Sequence, residues 1–168
     1  MTASGIGDRM ARVEAQPYLG RGQELDQRGQ ASLVLDASAN VAMFLDEKDQ
    51  VANGDTFLVL TESELVVPSH RPAEVGNALL VNIRRGRLSS RRLAAIVERL
   101  NIFRFEVQYA PPLGEIEERI QSALKAGLTY YDALYIQLAA ERRVPLFSLD
   151  RRMRKAASAG GVGLLPAL

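Results

Sequence analysis

The chain alternates between short apolar runs, several of them closing on an acidic residue, and stretches where apolar positions recur every three or four residues. The run "SLVLDA" over 32–37 predicts a buried first strand, followed by a helix from about Ala39 to Leu45. The stretch 46–62 is ambiguous, because Asn53-Gly54 reads as a turn while "TFLVL" suits strand or helix; a helical segment leading into the strand "ELVVP" (64–68) fits best. Ser69 is expected to cap the next helix, with Pro72 in its first turn. Val75, Ala78, Leu79 and Ile83 form its apolar stripe to about Arg85, where Gly86 ends it. A further helix begins behind Ser89 or Ser90, "FRFEVQ" (103–108) alternates as a strand, and Pro111-Pro112 breaks the chain before a helix at about 113–125. Gly127 closes that helix and Thr129 opens another to about Arg143. "VPLFSLD" supplies a fourth strand, Asp150 starts a helix to about Ser158, and "GVGLLPA" holds a short fifth strand.

Strands alternating with helices predict a three-layer α/β/α fold with a mainly parallel central sheet. Residues 1–30 are rich in Gly, Gln and Arg and lack apolar periodicity, so they read as a flexible N-terminal extension to a domain spanning 31–168.

Composition narrows the chemistry. At 168 residues the chain has room for one domain with a sizeable core. No apolar run reaches the roughly 18 residues of a membrane span, and the polar N-terminus lacks the apolar stretch of a secretory signal. The absence of cysteine excludes disulfides and thiolate zinc sites and suits a cytoplasmic location. A single histidine rules out sites that need two imidazoles, including HExxH. That histidine, His70, sits beside Arg71 at a helix start and reads as a surface residue, which leaves no imidazole near the acids discussed next. The net charge of +1 gives no global attraction to nucleic acid. Two basic clusters, Arg84/Arg85/Arg87/Arg91/Arg92 and Arg151/Arg152/Arg154/Lys155, suit phosphate binding, and equally a solvated helix face or a subunit contact.

Four acids stand where a strand or turn hands over to a helix: Asp36, Glu74, Asp132 and Asp150. Ligands of an open parallel α/β sheet bind outside the carboxyl ends of its strands. Asp36 and Asp150 each terminate a predicted strand, and Glu74 and Asp132 fall near helix N-termini, which can face the same edge. Four converging carboxylates cannot all stay ionised without a counter-charge, and an all-oxygen donor set suits Mg²⁺ or Mn²⁺ rather than zinc. Each acid also has a local reading. Asp36 suits an Asx turn, Glu74 a first-turn acid, Thr129 with Asp132 a capping pair, and Asp150 an N-cap. Only convergence separates the metal site from four independent caps. Ser38 and Ser148, two positions from Asp36 and Asp150, could orient a carboxylate; Ser148 equally suits exposure or a backbone bond. Asn40 and Asn77 are weaker candidates. Tyr130, Tyr131 and Tyr135 suit base stacking or, better, core and dimer packing.

These residues resemble a PIN-domain ribonuclease, specifically the VapC-type toxin of bacterial toxin–antitoxin pairs. "LVLDASA", "VVPSHRPAEVGNALLVNIRRGRLS", "LTYYDALYIQLAAERRVPLFSLDRRM" and the closing "GGVGLLP" carry the resemblance over about 31–168. It implies a Mg²⁺/Mn²⁺-dependent endoribonuclease that cuts structured RNA such as tRNA or rRNA, forms homodimers and is held by a cognate antitoxin. Asp36, Glu74, Asp132 and Asp150 match the acidic quartet, as catalytic and metal-holding residues, and Ser38 matches a hydroxyl close behind the first acid. Ser148 stands where Thr is more usual, and the N-terminal extension is untypical. Arg151 and Arg152 are expected near the RNA backbone from proximity alone. Two other readings remain: a PIN-like domain that only binds or scaffolds, and another α/β phosphate enzyme. Against the second, Ser38 stands where a haloacid-dehalogenase-type phosphatase would place another Asp, and GxxxxGK[ST] is absent; a phosphate-receiver domain remains open.

Overall fold

The computed structural model describes residues 31–45 and 54–166, so the predicted extension over 1–30 and the first part of the ambiguous stretch lie outside the described residues. Five strands form one sheet: β1 (Ser32–Leu35), β2 (Glu64–Pro68), β3 (Phe105–Gln108), β4 (Leu146–Phe147) and β5 (Leu164–Leu165). Their order is β3-β2-β1-β4-β5 and every pairing is parallel. Register sets Val34 opposite both Val66 and Leu146, so β1 is the sheet's centre.

Seven α-helices connect the described strands: α1 (Ala37–Ala42), α2 (Gly54–Glu62), α3 (Arg71–Arg84), α4 (Leu93–Leu100), α5 (Ile116–Ala126), α6 (Tyr130–Arg142) and α7 (Arg151–Ala159). Alternate residues of a strand point to opposite faces, and both faces are covered. Leu33, Leu35, Leu65, Val67 and Phe147 pack with Leu60 of α2 on one side. On the other, Val34, Val66 and Leu146 pack with Tyr135, Leu138 and Ala139 of α6 and Met153 and Ala157 of α7. This double burial explains why the strands read as unbroken apolar runs rather than as alternation. A third cluster joins Val41, Leu79, Leu88, Ile96 and Leu100, which seats α1, α3 and α4 on one another.

Two polar anchors fix the parts that border the strand ends. Arg71, buried at the start of α3, donates to Oδ1 of Asn40 in α1, and its guanidinium lies 3.7 Å from the centre of the Phe105 ring. Arg154 of α7 donates to the carbonyls of Ser148 and Leu165 through Nη1, and to that of Pro166 through Nη2, each at 2.9 Å.

Differences from the sequence reading are local. Ser69 does not cap α3: its N–H donates to the Gln108 carbonyl at 2.8 Å, extending the β2–β3 ladder by one residue and passing the cap to His70, whose side chain makes no cap bond. Helix α1 starts at Ala37, two residues early, because Asp36 itself caps it. Single 3₁₀ turns at Ser90–Arg92 and Leu113–Glu115 precede α4 and α5 where continuous helices were expected. Among the described residues no helix is long and apolar enough to cross a membrane.

Candidate active site

The sheet's chain order reverses at β1, whose neighbours are β2 on one side and β4 on the other. A crevice opens at such a switch point beyond the carboxyl ends of the strands. Asp36 follows β1 directly and Asp150 follows β4, so those two acids flank it. Glu74 reaches it from the first turn of α3 and Asp132 from the first turn of α6. All four line one open cleft of about 540 Å³, together with Ser38, His70, Asn77, Tyr131 and Met153.

Each acid keeps its local role while lining the cleft. Asp36 is the N-cap of α1: Oδ1 accepts from the Ser38 N–H at 3.1 Å, and Oδ2 from the Ser38 hydroxyl at 2.7 Å. Oδ1 of Asp150 takes the N–H groups of Arg152 and Met153 at 2.8 and 2.9 Å as the N-cap of α7. Thr129 caps α6, accepting from the Asp132 N–H at 3.1 Å while its hydroxyl donates to Asp132 Oδ2 at 2.7 Å. Capping and convergence are therefore compatible, because a helix N-terminus at the sheet's carboxyl edge points its cap into the crevice.

Ser148 is fully buried, which removes the exposed alternative. Its hydroxyl donates to Asp36 Oδ2 at 3.0 Å and accepts from the Asp150 N–H at 3.1 Å, linking the two sides of the switch point. Ser38, Ser148 and the Ser38 N–H thus all donate to Asp36, which is only 5% exposed. Burial pushes the Asp36 carboxyl above its usual range; these three bonds oppose the rise and the charge of Asp132 adds to it.

Glu74 is also pushed up, first by burial and then by Asp36 and Asp132, against the Tyr135 hydroxyl that donates to its Oε2 at 2.6 Å. Burial and the Glu74 carboxylate in turn hold the Tyr135 phenol far above its ordinary value, so it remains a donor. For Tyr135 core packing was the favoured reading over base stacking; its ring does lie in the core, and its hydroxyl serves the cleft as well.

His70 is the larger correction. It lies in the cleft, its Nε2 3.4 Å from Glu74 Oε2, and not on the outer surface. The approach lacks hydrogen-bond geometry, and Nε2 has no bonding partner. Burial lowers the imidazole's basicity, partly offset by Asp132. The ring centroid of His70 lies 5.4 Å from that of Tyr135, nearly perpendicular, and 4.9 Å from that of Tyr131. Spacing held a clue to both: His70 is four residues before Glu74, and Tyr135 three after Asp132, on shared helix faces.

The donor set suits a hard divalent cation, being all oxygen, and the mutual repulsion that, after burial, raises Asp36 and Glu74 is what such a counter-charge would relieve. Among the described residues, however, no group of three His, Asp or Glu side chains stands in place to hold a metal ion. Asp150 is exposed and Asp132 partly so, which leaves their side chains room to turn toward Asp36. The residues therefore fit such an ion in chemistry and in shared cleft, with side-chain adjustment needed to close a ligand set.

The arrangement defines an all-parallel α/β protein with an acidic cleft at its switch point. The sequence profile of the PIN domain matches residues 33–159, and this chain belongs to the PIN domain family. Ribonuclease VapC3 from Pyrobaculum aerophilum is 31% identical over 122 residues, spanning 72% of this chain and 91% of that protein. The crystal structure of PAE2754 from Pyrobaculum aerophilum superposes with a TM-score of 0.59 at 26% identity, covering 85% of this chain and 92% of that one.

Proposed function

We propose that this chain is a divalent-metal-dependent endoribonuclease acting as the toxin of a toxin–antitoxin pair. The observation that carries the proposal is the meeting of Asp36, Glu74, Asp132 and Asp150, from four separate segments, on one cleft at the switch point. Similarity to a protein named Ribonuclease VapC3 supports the reaction class.

The four carboxylates would hold Mg²⁺ or Mn²⁺, which when bound stabilises charge on the phosphoryl group and activates water for attack. Ser38 and Ser148 orient Asp36 and favour its ionised form by donating to it. Tyr135 does the same for Glu74. Arg151 and Arg152 are exposed in the first turn of α7 beside Asp150, and in this reading they would meet the RNA backbone. We assign a structured RNA such as tRNA or rRNA as substrate, a cognate antitoxin as the partner that covers the cleft, a homodimer as the assembly and the cytoplasm as the location.

The test uses the purified full chain with total tRNA, with Mg²⁺, with Mn²⁺ and with chelator. Cleavage that depends on the cation and is lost in Asp36→Asn is the expected result. Undiminished cleavage by Asp36→Asn would refute the assignment, and a chain that binds RNA without ever cutting it would be a scaffold.

A further inference from the structure

Of the exposed large apolar side chains among the described residues, only Tyr131 lines the acidic cleft. It is 55% exposed, at the second position of α6, immediately before Asp132. Its ring does not hang free. His70 lies against it at 4.9 Å between centroids with planes at 44°, and Tyr130 meets it at 6.4 Å in an edge arrangement. His70 is in turn braced by the buried ring of Tyr135, whose hydroxyl holds Glu74. Three rings thus run from the carboxylate at the inner part of the cleft to an aromatic surface at its rim.

A bound cation and nearby arginines offset the repulsion between four acids and a polyanion, but neither holds a base in place. Base–aromatic stacking is independent of net charge and tolerant of base identity, and a tyrosine supplies it with few rotatable bonds to immobilise. We infer that Tyr131, backed by His70, is a platform on which one unpaired base of the RNA stacks beside the phosphodiester presented to the carboxylates. This rests on the nuclease reading above and adds a specificity: the substrate must offer a base free of its helix at the cleavage site. Fully paired RNA of the same length is then a poor substrate.

The chain contains no tryptophan, so Tyr131→Trp in the full chain introduces a single indole at the platform. In an Asp36→Asn background, which holds cleavage off, a short single-stranded oligoribonucleotide is expected to quench that indole. An abasic oligomer of equal length and charge is expected to leave it unchanged. In the otherwise native chain, Tyr131→Ala should raise KM for total tRNA about tenfold, the order of one lost stacked base, with kcat held within about twofold, and Tyr131→Trp should restore KM. Equal quenching by the abasic oligomer, no quenching at all, or an unmoved KM in Tyr131→Ala overturns the platform. So does an indole response that depends on protein concentration without RNA, which would assign Tyr131 to a contact between copies. The two readings fail separately: normal KM in Tyr131→Ala alongside an inactive Asp36→Asn removes only the platform, whereas full activity of Asp36→Asn removes the nuclease site and the platform with it.

Discussion

The Tyr135 hydroxyl donates to Oε2 of Glu74 across 2.6 Å, joining the middle of α6 to the first turn of α3. The ring is part of the core, so Tyr135→Phe deletes the donor and leaves the packing intact. Groups that orient a metal-holding carboxylate typically change metal affinity by about 10–100-fold when removed. Calorimetric titration of Tyr135→Phe with Mn²⁺ is expected to show at least about tenfold weaker binding. Unchanged affinity would mean that the hydroxyl serves folding only.

Ser148 connects Asp36 to the N–H of Asp150 across the switch point. Ser148→Ala leaves a buried carboxylate with one donor fewer, a loss of about 1–3 kcal/mol. Urea unfolding at pH 7 should show that loss in the native background and a smaller one in Asp36→Asn, where the charge that the hydroxyl serves is gone. Equal losses in both backgrounds would show that the two side chains are not coupled.

The raised carboxyls give stability a definite pH dependence. Asp36 titrates near 3.8 when unfolded and higher when folded, so between those values the folded state binds more protons than the unfolded one. Its contribution therefore falls as pH rises through that window, and Glu74, whose usual value is 4.5, acts in the same sense. Other carboxylates superimpose their own slopes, and comparison with Asp36→Asn isolates this one. In chelator, the Tm of Asp36→Asn minus that of the native chain should grow by a few degrees between pH 4 and pH 7, since about 1 kcal/mol moves Tm by roughly 2–4 °C in a domain of this size. Mg²⁺ should shrink the difference. A gap that stays flat with pH would count against a desolvated charge at Asp36.

Arg151 and Arg152 stand exposed at the start of α7. If both meet phosphates, Arg151→Ser/Arg152→Ser should reduce the slope of log affinity against log salt by about 1–2. RNA binding across a salt series would measure it. Loss of affinity with an unaltered slope would place these arginines elsewhere than on the backbone.

Much of the architecture is legible in the chain because double burial of a parallel sheet leaves unbroken apolar runs. "ELVVP" becomes β2 residue for residue, and Thr129 and Asp150 cap the helices they were expected to open. The acids are legible for the same reason: a strand end followed by a helix start announces itself through patterning and cap chemistry. What escapes is whatever depends on packing between distant segments. Nothing local shows that Ser69 spends its N–H on Gln108, that Arg71 is buried against Phe105, or that the Tyr135 hydroxyl finds a residue 61 positions away. His70 was misplaced because a lone imidazole beside an arginine looks solvated, whereas that arginine is buried and the histidine packs on Tyr131 and Tyr135 in the cleft.

Arg154 binds the carbonyls of Ser148, Leu165 and Pro166, and Ser148 also gives its own N–H to Leu165. Strand β5 thus braces the residue that holds Asp36. Loss of residues 164–166 would strip the acceptor of the Ser148 N–H and two acceptors of Arg154, loosening the acidic centre without touching any of its four carboxylates.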